Sequence, residues 1–78
     1  MTSRRIKTTR TEANDVKYKR KRFIHREDKG YKVGDLFNFR VMEGHQEINH
    51  SIIHDLYEIT FIDDLSSGIV ALGFERVR

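Results

Sequence analysis

The side chains of this chain that are best suited to binding a ligand are its lysines and arginines. Residues 17–26 hold six lysines and arginines together with two aromatic residues, Tyr18 and Phe23, and contain no acidic residue. Lysine and arginine neutralise backbone phosphates and release counterions, and an aromatic ring gives an unpaired base a stacking surface. This composition favours phosphate binding over the simpler alternative, a solvated helix end followed by a strand with a basic outer face.

The basic residues are concentrated in the first half of the chain. Residues 1–40 contain thirteen lysines and arginines against five acidic residues, whereas residues 41–78 contain two against seven. The formal charge of +3 therefore combines a half of +8 with a half of −5. A basic half suits a polyanionic partner, and we expect Tyr18 to be the stacking residue. The expected contact residues are Lys17, Tyr18, Lys19, Arg20, Lys21, Arg22, Arg26, Lys29 and Lys32.

A metal site is a weaker alternative, suggested by His25, His45, His50 and His54. On a helix, His50 and His54 would share one face. The β-branched residues around Ile53 favour a strand, on which positions i and i+4 lie about 13 Å apart, too far for one ion. We therefore expect no metal and no cofactor.

Two adjacent pairs of carboxylates, Glu27 with Asp28 and Asp63 with Asp64, do not predict acid–base catalysis. Adjacent residues on a strand point to opposite faces, so neither pair can act together. Hydrogen bonds to local backbone in turns explain them better, and Asp35 after Gly34 is expected to be structural as well. The sequence also lacks a P-loop, a dinucleotide-binding glycine motif and a nucleophile elbow.

The chain is short enough to form only one domain, residues 1–78, with residues 1–4 expected to fray. A domain of this size buries only about 60% of its unfolded surface, so the core must be thin. Without cysteine, packing alone must stabilise it. No apolar run approaches the roughly 20 residues of a membrane span, and residues 1–10 lack the apolar segment of a signal peptide. These features predict a cytoplasmic protein without a membrane partner.

The first half predicts a strand and a helix that carry the basic residues. Residues 5–8 are expected to form a short strand. Thr9, followed three residues later by Glu12, fits a capping box for a helix that ends near residue 19 or 20. Ala13 and Val16 provide a narrow apolar stripe for packing on a surface. From Phe23 onward the periodicity becomes strand-like, and glycines at 30 and 34 mark a turn.

The second half predicts mostly strands. Phe37, Phe39 and Val41 alternate with polar residues, as in a half-buried strand. Residues 42–50 are interpreted as a loop, residues 63–68 as another loop, and residues 69–74 as a strand buried on both faces. A longer strand between the loops would place its apolar residues on one face: Ile53, Tyr57, Ile59 and Phe61. The fold class is α+β, a small β-barrel of about five strands with one N-terminal helix packed on it.

Three segments in order carry a family resemblance. They are Tyr-Lys-Val-Gly-Asp-Leu at residues 31–36, Glu-Ile-Thr-Phe-Ile-Asp-Asp at 58–64 and Gly-Ile-Val-Ala-Leu-Gly-Phe at 68–74. Residues 5–76 resemble the ASCH domains of the PUA-like β-barrel superfamily, most closely the short bacterial and phage members of unknown function. The resemblance implies a PUA-like barrel with a cleft that receives RNA or a nucleotide.

The ASCH signature, Gly-x-Lys-x-x-Glu-x-Arg, is only half present. With Arg26 as its final arginine, Lys21 matches the lysine, Lys19 replaces the glycine and Ile24 replaces the glutamate. Some ASCH-like proteins resemble amidohydrolases of acetylated cytidine that use a lysine, a threonine and a glutamate. Ile24 also falls at the threonine position and has no hydroxyl to act as a nucleophile. The resemblance therefore implies binding without a catalytic residue.

Our leading hypothesis is a protein that binds RNA or another nucleic acid through the helix end, the second strand and the following turn. An alternative is a small ASCH-type nucleoside or RNA hydrolase, with Lys21 as base or charge stabiliser and an acid such as Glu58. A second alternative is a module whose basic half docks on an acidic protein.

Overall fold

The computed structural model describes residues 3–18 and 21–77, and these residues form a small α+β fold. Within them lie six strands and one α-helix. In chain order they are β1 (Ser3–Thr9), α1 (Arg10–Lys17), β2 (Phe23–Glu27), β3 (Leu36–Glu43), β4 (Gln46–Glu47), a 3-10 helix (Ser51–His54), β5 (Tyr57–Ser66) and β6 (Ile69–Arg76). None of the described helices has the length and apolar character needed to cross a membrane.

The strands form one mixed sheet in the order β1-β3-β5-β6-β2, with β4 paired to β3. Of the strand pairs formed by the described residues, only β1 with β3 is parallel. Across the described residues no strand pairing joins β1 to β2, so the predicted barrel is corrected to an open sheet. The short strand β2 pairs with β6, and the edges of β1 and β2 are linked by a side chain instead: Arg26 Nη2 donates to the Lys7 carbonyl at 3.1 Å.

The core lies on the inner face of this sheet and is dominated by aromatic rings. Phe37, Phe39, Tyr57 and Phe74 all contact one another, with ring centroids 5.2 to 5.9 Å apart. Val41 is also fully buried, which confirms the predicted inward face of β3. Such aromatic pairs stabilise a thin core beyond the area they bury.

Helix α1 begins as the sequence predicts and ends earlier. The Glu12 backbone N–H donates to Thr9 Oγ1 at 3.2 Å, which confirms Thr9 as the N-cap. Ala13 and Val16 are buried, as expected from the apolar stripe. The helix ends at Lys17 rather than near residue 19 or 20, and the Glu12 carboxylate points away from Thr9 toward β2.

Both predicted loops of the second half contain strand. Strand β3 continues to Glu43 and turns at Gly44, whose φ of 64° favours glycine, into the short strand β4. Strand β5 runs through Asp63 and Asp64 because both residues pair with β6, and this pairing outweighs the low strand propensity of aspartate.

The longer strand predicted to include Ile53 begins later, at Tyr57. Ile53 lies in the 3-10 helix, whose N-cap is His50: the Ile52 N–H donates to His50 Nδ1 at 3.1 Å. Phe61 was expected in the core and is instead 48% exposed. A register shift between Ile59 and Phe61 adds one residue to the strand and turns the Phe61 side chain to the outer face.

Candidate functional site

A cleft lies between the facing edges of β1 and β2. It consists of two chambers of about 580 and 360 Å³, and Lys7 and Arg26 line both of them. The larger chamber is completed by Thr8, Thr9, Glu12, Met42, Gly44 and His45. The smaller chamber is completed by Arg4, Arg5, Ile6, Glu27, Lys29 and Tyr31. The cleft exists because side chains, rather than a backbone ladder, link the two strand edges.

Glu12 lines the larger chamber and accepts several hydrogen bonds there. Its Oε1 accepts hydrogen bonds from Arg26 and from the Thr8 hydroxyl, and Lys21 Nζ lies 3.1 Å from its Oε2. Three elements supply these groups: Thr8 lies near the end of β1, Glu12 in the first turn of α1, and Arg26 on β2. The Glu12 side chain is only 16% exposed. The cluster therefore joins the helix to both edges of the open sheet.

The surroundings of Glu12 keep its carboxylate charged. Partial burial alone would raise the pKa of Glu12, but the hydrogen bonds from Arg26 and Thr8, the charge of Arg26 and the contact with Lys21 outweigh it. Together they lower the pKa of Glu12 from 4.5 to about 2. One carboxylate thus offsets one of two neighbouring cations, and the cluster keeps a net charge of +1 at neutral pH.

The smaller chamber has an arginine that is fully committed to local contacts. Arg4 Nε lies 3.3 Å from the Asp35 carboxylate, and its terminal nitrogens donate to the carbonyls of Lys29 at 3.3 Å and Gly30 at 3.1 Å. The guanidinium also lies 5.0 Å from the centroid of the Tyr31 ring. Arg4 therefore fixes the 29–31 turn against β1 and adds little free charge to the chamber.

Three further cations line the smaller chamber and are exposed to solvent. In the part of the chain that the structure describes, Arg5, Lys7 and Lys29 have no ion-pair partner, and all three are exposed. Glu27 is the single acidic residue among those lining the chamber. These three cations form a basic wall of the cleft. The wall can therefore neutralise an incoming anion without first breaking an internal ion pair.

The cleft brings together three of the residues expected to contact nucleic acid. Arg26 and Lys29 line it, and Lys21 reaches it through Glu12. Four others lie away from its walls: Lys17, Tyr18, Arg22 and Lys32. Lys19 and Arg20, also expected to bind, fall outside the described residues.

Sequence reasoning missed the other half of the cleft. Arg5 and Lys7 alternate with the buried residues Ile6 and Thr8, a period-two pattern that places both cations on one side of β1. This alternation can be read from the sequence. The parallel pairing of β1 with β3 leaves the other edge of β1 facing β2, and the sequence does not reveal that pairing.

Two residues considered for catalysis, Ile24 and Glu58, lie outside the cleft, whereas His45 lines its larger chamber. Ile24 is fully buried in the core, and Glu58 is exposed on β5 and lines neither chamber. The turn roles expected of two aspartates are confirmed: Asp28 Oδ1 accepts the Gly30 N–H at 2.9 Å, and Asp35 Oδ2 accepts the Lys32 N–H at 2.9 Å. Among the described residues no cluster of three or more potential metal ligands occurs.

Comparison with known proteins assigns no family to this chain. No model of a protein family matches the chain, and no curated protein is significantly similar to it. The resemblance to ASCH domains therefore stays a prediction from the sequence.

Proposed function

We propose that the protein binds RNA or another nucleic acid in the cleft between β1 and β2. The observation that carries this proposal is the wall formed by Arg5, Lys7 and Lys29, three exposed cations that line one chamber and form no ion pair with any residue the structure describes. Phosphates of a single strand would lie along this wall, and Tyr31 would lie beside them. Neutralising several phosphates supplies most of the affinity of such complexes.

The cluster around Glu12 has a positioning role in this proposal. Glu12 holds Lys21 and Arg26 at the end of the basic wall, where their combined charge extends the positive surface from the smaller chamber into the larger one. Cations fixed in this way lose less side-chain entropy when they bind an anion than free surface lysines do. Lys17, Arg22 and Lys32 line neither chamber, so in this proposal they add long-range attraction and no direct phosphate contact.

A relationship to the PUA-like superfamily is part of the same proposal. The order of elements, with one helix inserted between the first two strands, supports it. The open edge between β1 and β2, crossed by Arg26, lies where the resemblance implies a cleft. A PUA-like fold in this chain would then be a half-open variant of the barrel.

One observation favours the hydrolase alternative: Thr8, Glu12 and Lys21 bring a hydroxyl, a carboxylate and an amine together. The low pKa of Glu12, about 2, argues against it, because a carboxylate held so far below neutral pH is a poor base for a hydroxyl proton. Turnover of an acetylated cytidine by the wild type, lost in Lys21→Ala with the fold retained, would support this alternative.

The nucleic-acid proposal is tested by two triple variants with the same loss of charge. Arg5→Ala/Lys7→Ala/Lys29→Ala removes the cleft wall, and Lys17→Ala/Arg22→Ala/Lys32→Ala removes cations outside it. We expect the first to weaken binding of a fluorescein-labelled 12-nucleotide RNA, measured by anisotropy, at least tenfold, and the second no more than about threefold.

Equal losses in the two triple variants would contradict a role for the cleft, and no binding by the wild type at low salt would contradict the proposal altogether. Capture of an acidic protein from a nuclease-treated lysate, combined with no RNA binding, would support the protein-binding alternative.

A further inference from the structure

The outer face of the sheet, opposite the core, carries two exposed aromatic rings in one row. Phe23 on β2 and Phe61 on β5 both pair with Gly73 on the intervening strand β6, and each is 48% exposed. The Phe61 ring lies directly on Gly73, where an added Cβ would come within 2.0 Å of its Cε1 atom. Two exposed aromatic residues therefore flank the same glycine on this face, where they are available to a partner.

Carboxylates lie on both sides of this row, and His25 on the same face stacks on Phe23 with ring centroids 6.1 Å apart. Glu58 pairs with Glu75 on one side of the row, and Asp63 and Glu27 lie on the other side, opposite Ala71 and Ile69. All four acidic residues are exposed, and none has an ion-pair partner among residues 3–18 and 21–77. Like charges directly opposite each other destabilise a sheet, so the Glu58–Glu75 pair carries a cost that an external cation would relieve.

We propose that this outer face binds a basic peptide segment of a partner protein. Arginine or lysine side chains of the partner would lie against the Phe23 and Phe61 rings, and the surrounding carboxylates would accept their hydrogen bonds. A nucleic-acid strand does not fit this face, because its phosphates would meet the four carboxylates. Glu27 is the one residue that this face shares with the lining of the cleft. The two rings and the other three carboxylates line neither chamber.

The proposal does not depend on nucleic-acid binding in the cleft and can be tested separately. The probe is a fluorescein-labelled (Arg-Gly)4 peptide, compared with (Ser-Gly)4, in anisotropy titrations at 0.15 M salt. We expect Asp63→Asn/Glu75→Gln to weaken binding of (Arg-Gly)4 at least fivefold. The matched variant Glu43→Gln/Glu47→Gln removes the same charge from the β3–β4 hairpin and should change binding less than twofold.

A third variant separates the rings from the charges. Phe61→Leu keeps apolar cover over Gly73 and removes the aromatic ring, so we expect it to weaken (Arg-Gly)4 binding about threefold while the circular dichroism spectrum is unchanged. The proposal is overturned if (Arg-Gly)4 binds no better than (Ser-Gly)4, or if both charge variants lose affinity equally. Self-association that is lost in Asp63→Asn/Glu75→Gln would instead assign the face to a second copy, and RNA binding lost in Phe61→Leu would assign it to nucleic acid.

Discussion

The Arg26 guanidinium donates hydrogen bonds to both the Glu12 carboxylate and the Lys7 carbonyl, so one side chain on β2 reaches both α1 and β1. It takes the place that backbone pairing would occupy in a closed barrel. Because this side chain rather than backbone pairing joins the two edges, the cleft between β1 and β2 stays open. Glu12 and Arg26 therefore have a structural role and a role in shaping the proposed binding surface.

Replacing Glu12 should destabilise the protein in a pH-dependent way. The folded-state pKa of about 2 lies below the ordinary glutamate value of 4.5, so the stabilisation is present above pH 4.5 and is lost as the pH falls toward 2. We expect Glu12→Gln to lower the free energy of unfolding by about 2 kcal/mol at pH 7 and by much less at pH 2.5, measured by urea denaturation.

Glu43→Gln is the matched control for this measurement. Glu43 forms an ion pair with Arg10 at 3.0 Å, but both side chains are more than half exposed. Its loss should cost about 0.5 kcal/mol or less. A Glu12→Gln effect of the same size at pH 7 and pH 2.5 would contradict the proposed ion-pair cluster.

Introducing the residues of the ASCH signature or the ASCH-like threonine at position 24 should damage the fold rather than create a site. Ile24 is fully buried among core residues. We expect Ile24→Thr to cost about 2 kcal/mol and Ile24→Glu to unfold the protein, since an unpaired carboxylate would enter the core. Thermal unfolding followed by circular dichroism would measure both, and a stable Ile24→Glu protein would show that position 24 faces the cleft.

Gly73 and Phe61 should be energetically coupled. An alanine at position 73 would displace the Phe61 ring, and we expect Gly73→Ala to cost about 1 kcal/mol in the wild type. In a Phe61→Ala background the same change should be neutral or stabilising, because alanine is less flexible than glycine in a strand. A double-mutant cycle of unfolding free energies measures the coupling, and additive effects would rule out the contact.

Tyr57 should titrate late when the pH is raised. Burial, the nearby charge of Asp55 and the 3.4 Å hydrogen bond to it together raise the pKa of Tyr57 from 10.0 to about 12, with Arg76 opposing. Because the folded-state pKa is raised, this stabilisation is present below pH 10 and is lost as the pH approaches 12. We expect an absorbance change at 295 nm near pH 12 that is missing in Tyr57→Phe.

Local patterns predicted the elements that depend on neighbouring residues. The alternation of Phe37, Phe39 and Val41 identified the inner face of β3, and Thr9 with Glu12 identified the start of α1. Phe61 was wrongly assigned to the core because a one-residue bulge reverses the alternation along β5, and nothing in the sequence marks that bulge.

Half of the candidate site could be predicted in the same way. The basic character of Arg26 and Lys29 was evident from charge alone. The role of Glu12 was not, because its spacing from Thr9 explained it as a capping residue, whereas its carboxylate is drawn toward two cations from another strand. The contribution of Arg5 and Lys7 depends on strand order, which is set by contacts distant in sequence.

The salt dependence of RNA binding tests the central claim most directly. If about six phosphates are neutralised, the logarithm of the association constant for a single-stranded RNA should fall with the logarithm of salt concentration at a slope of about −4. Arg5→Ala/Lys7→Ala/Lys29→Ala should reduce that slope to about −2, because three phosphate contacts are removed. A flat salt dependence in the wild type, or an unchanged slope in the variant, would contradict phosphate binding in the cleft.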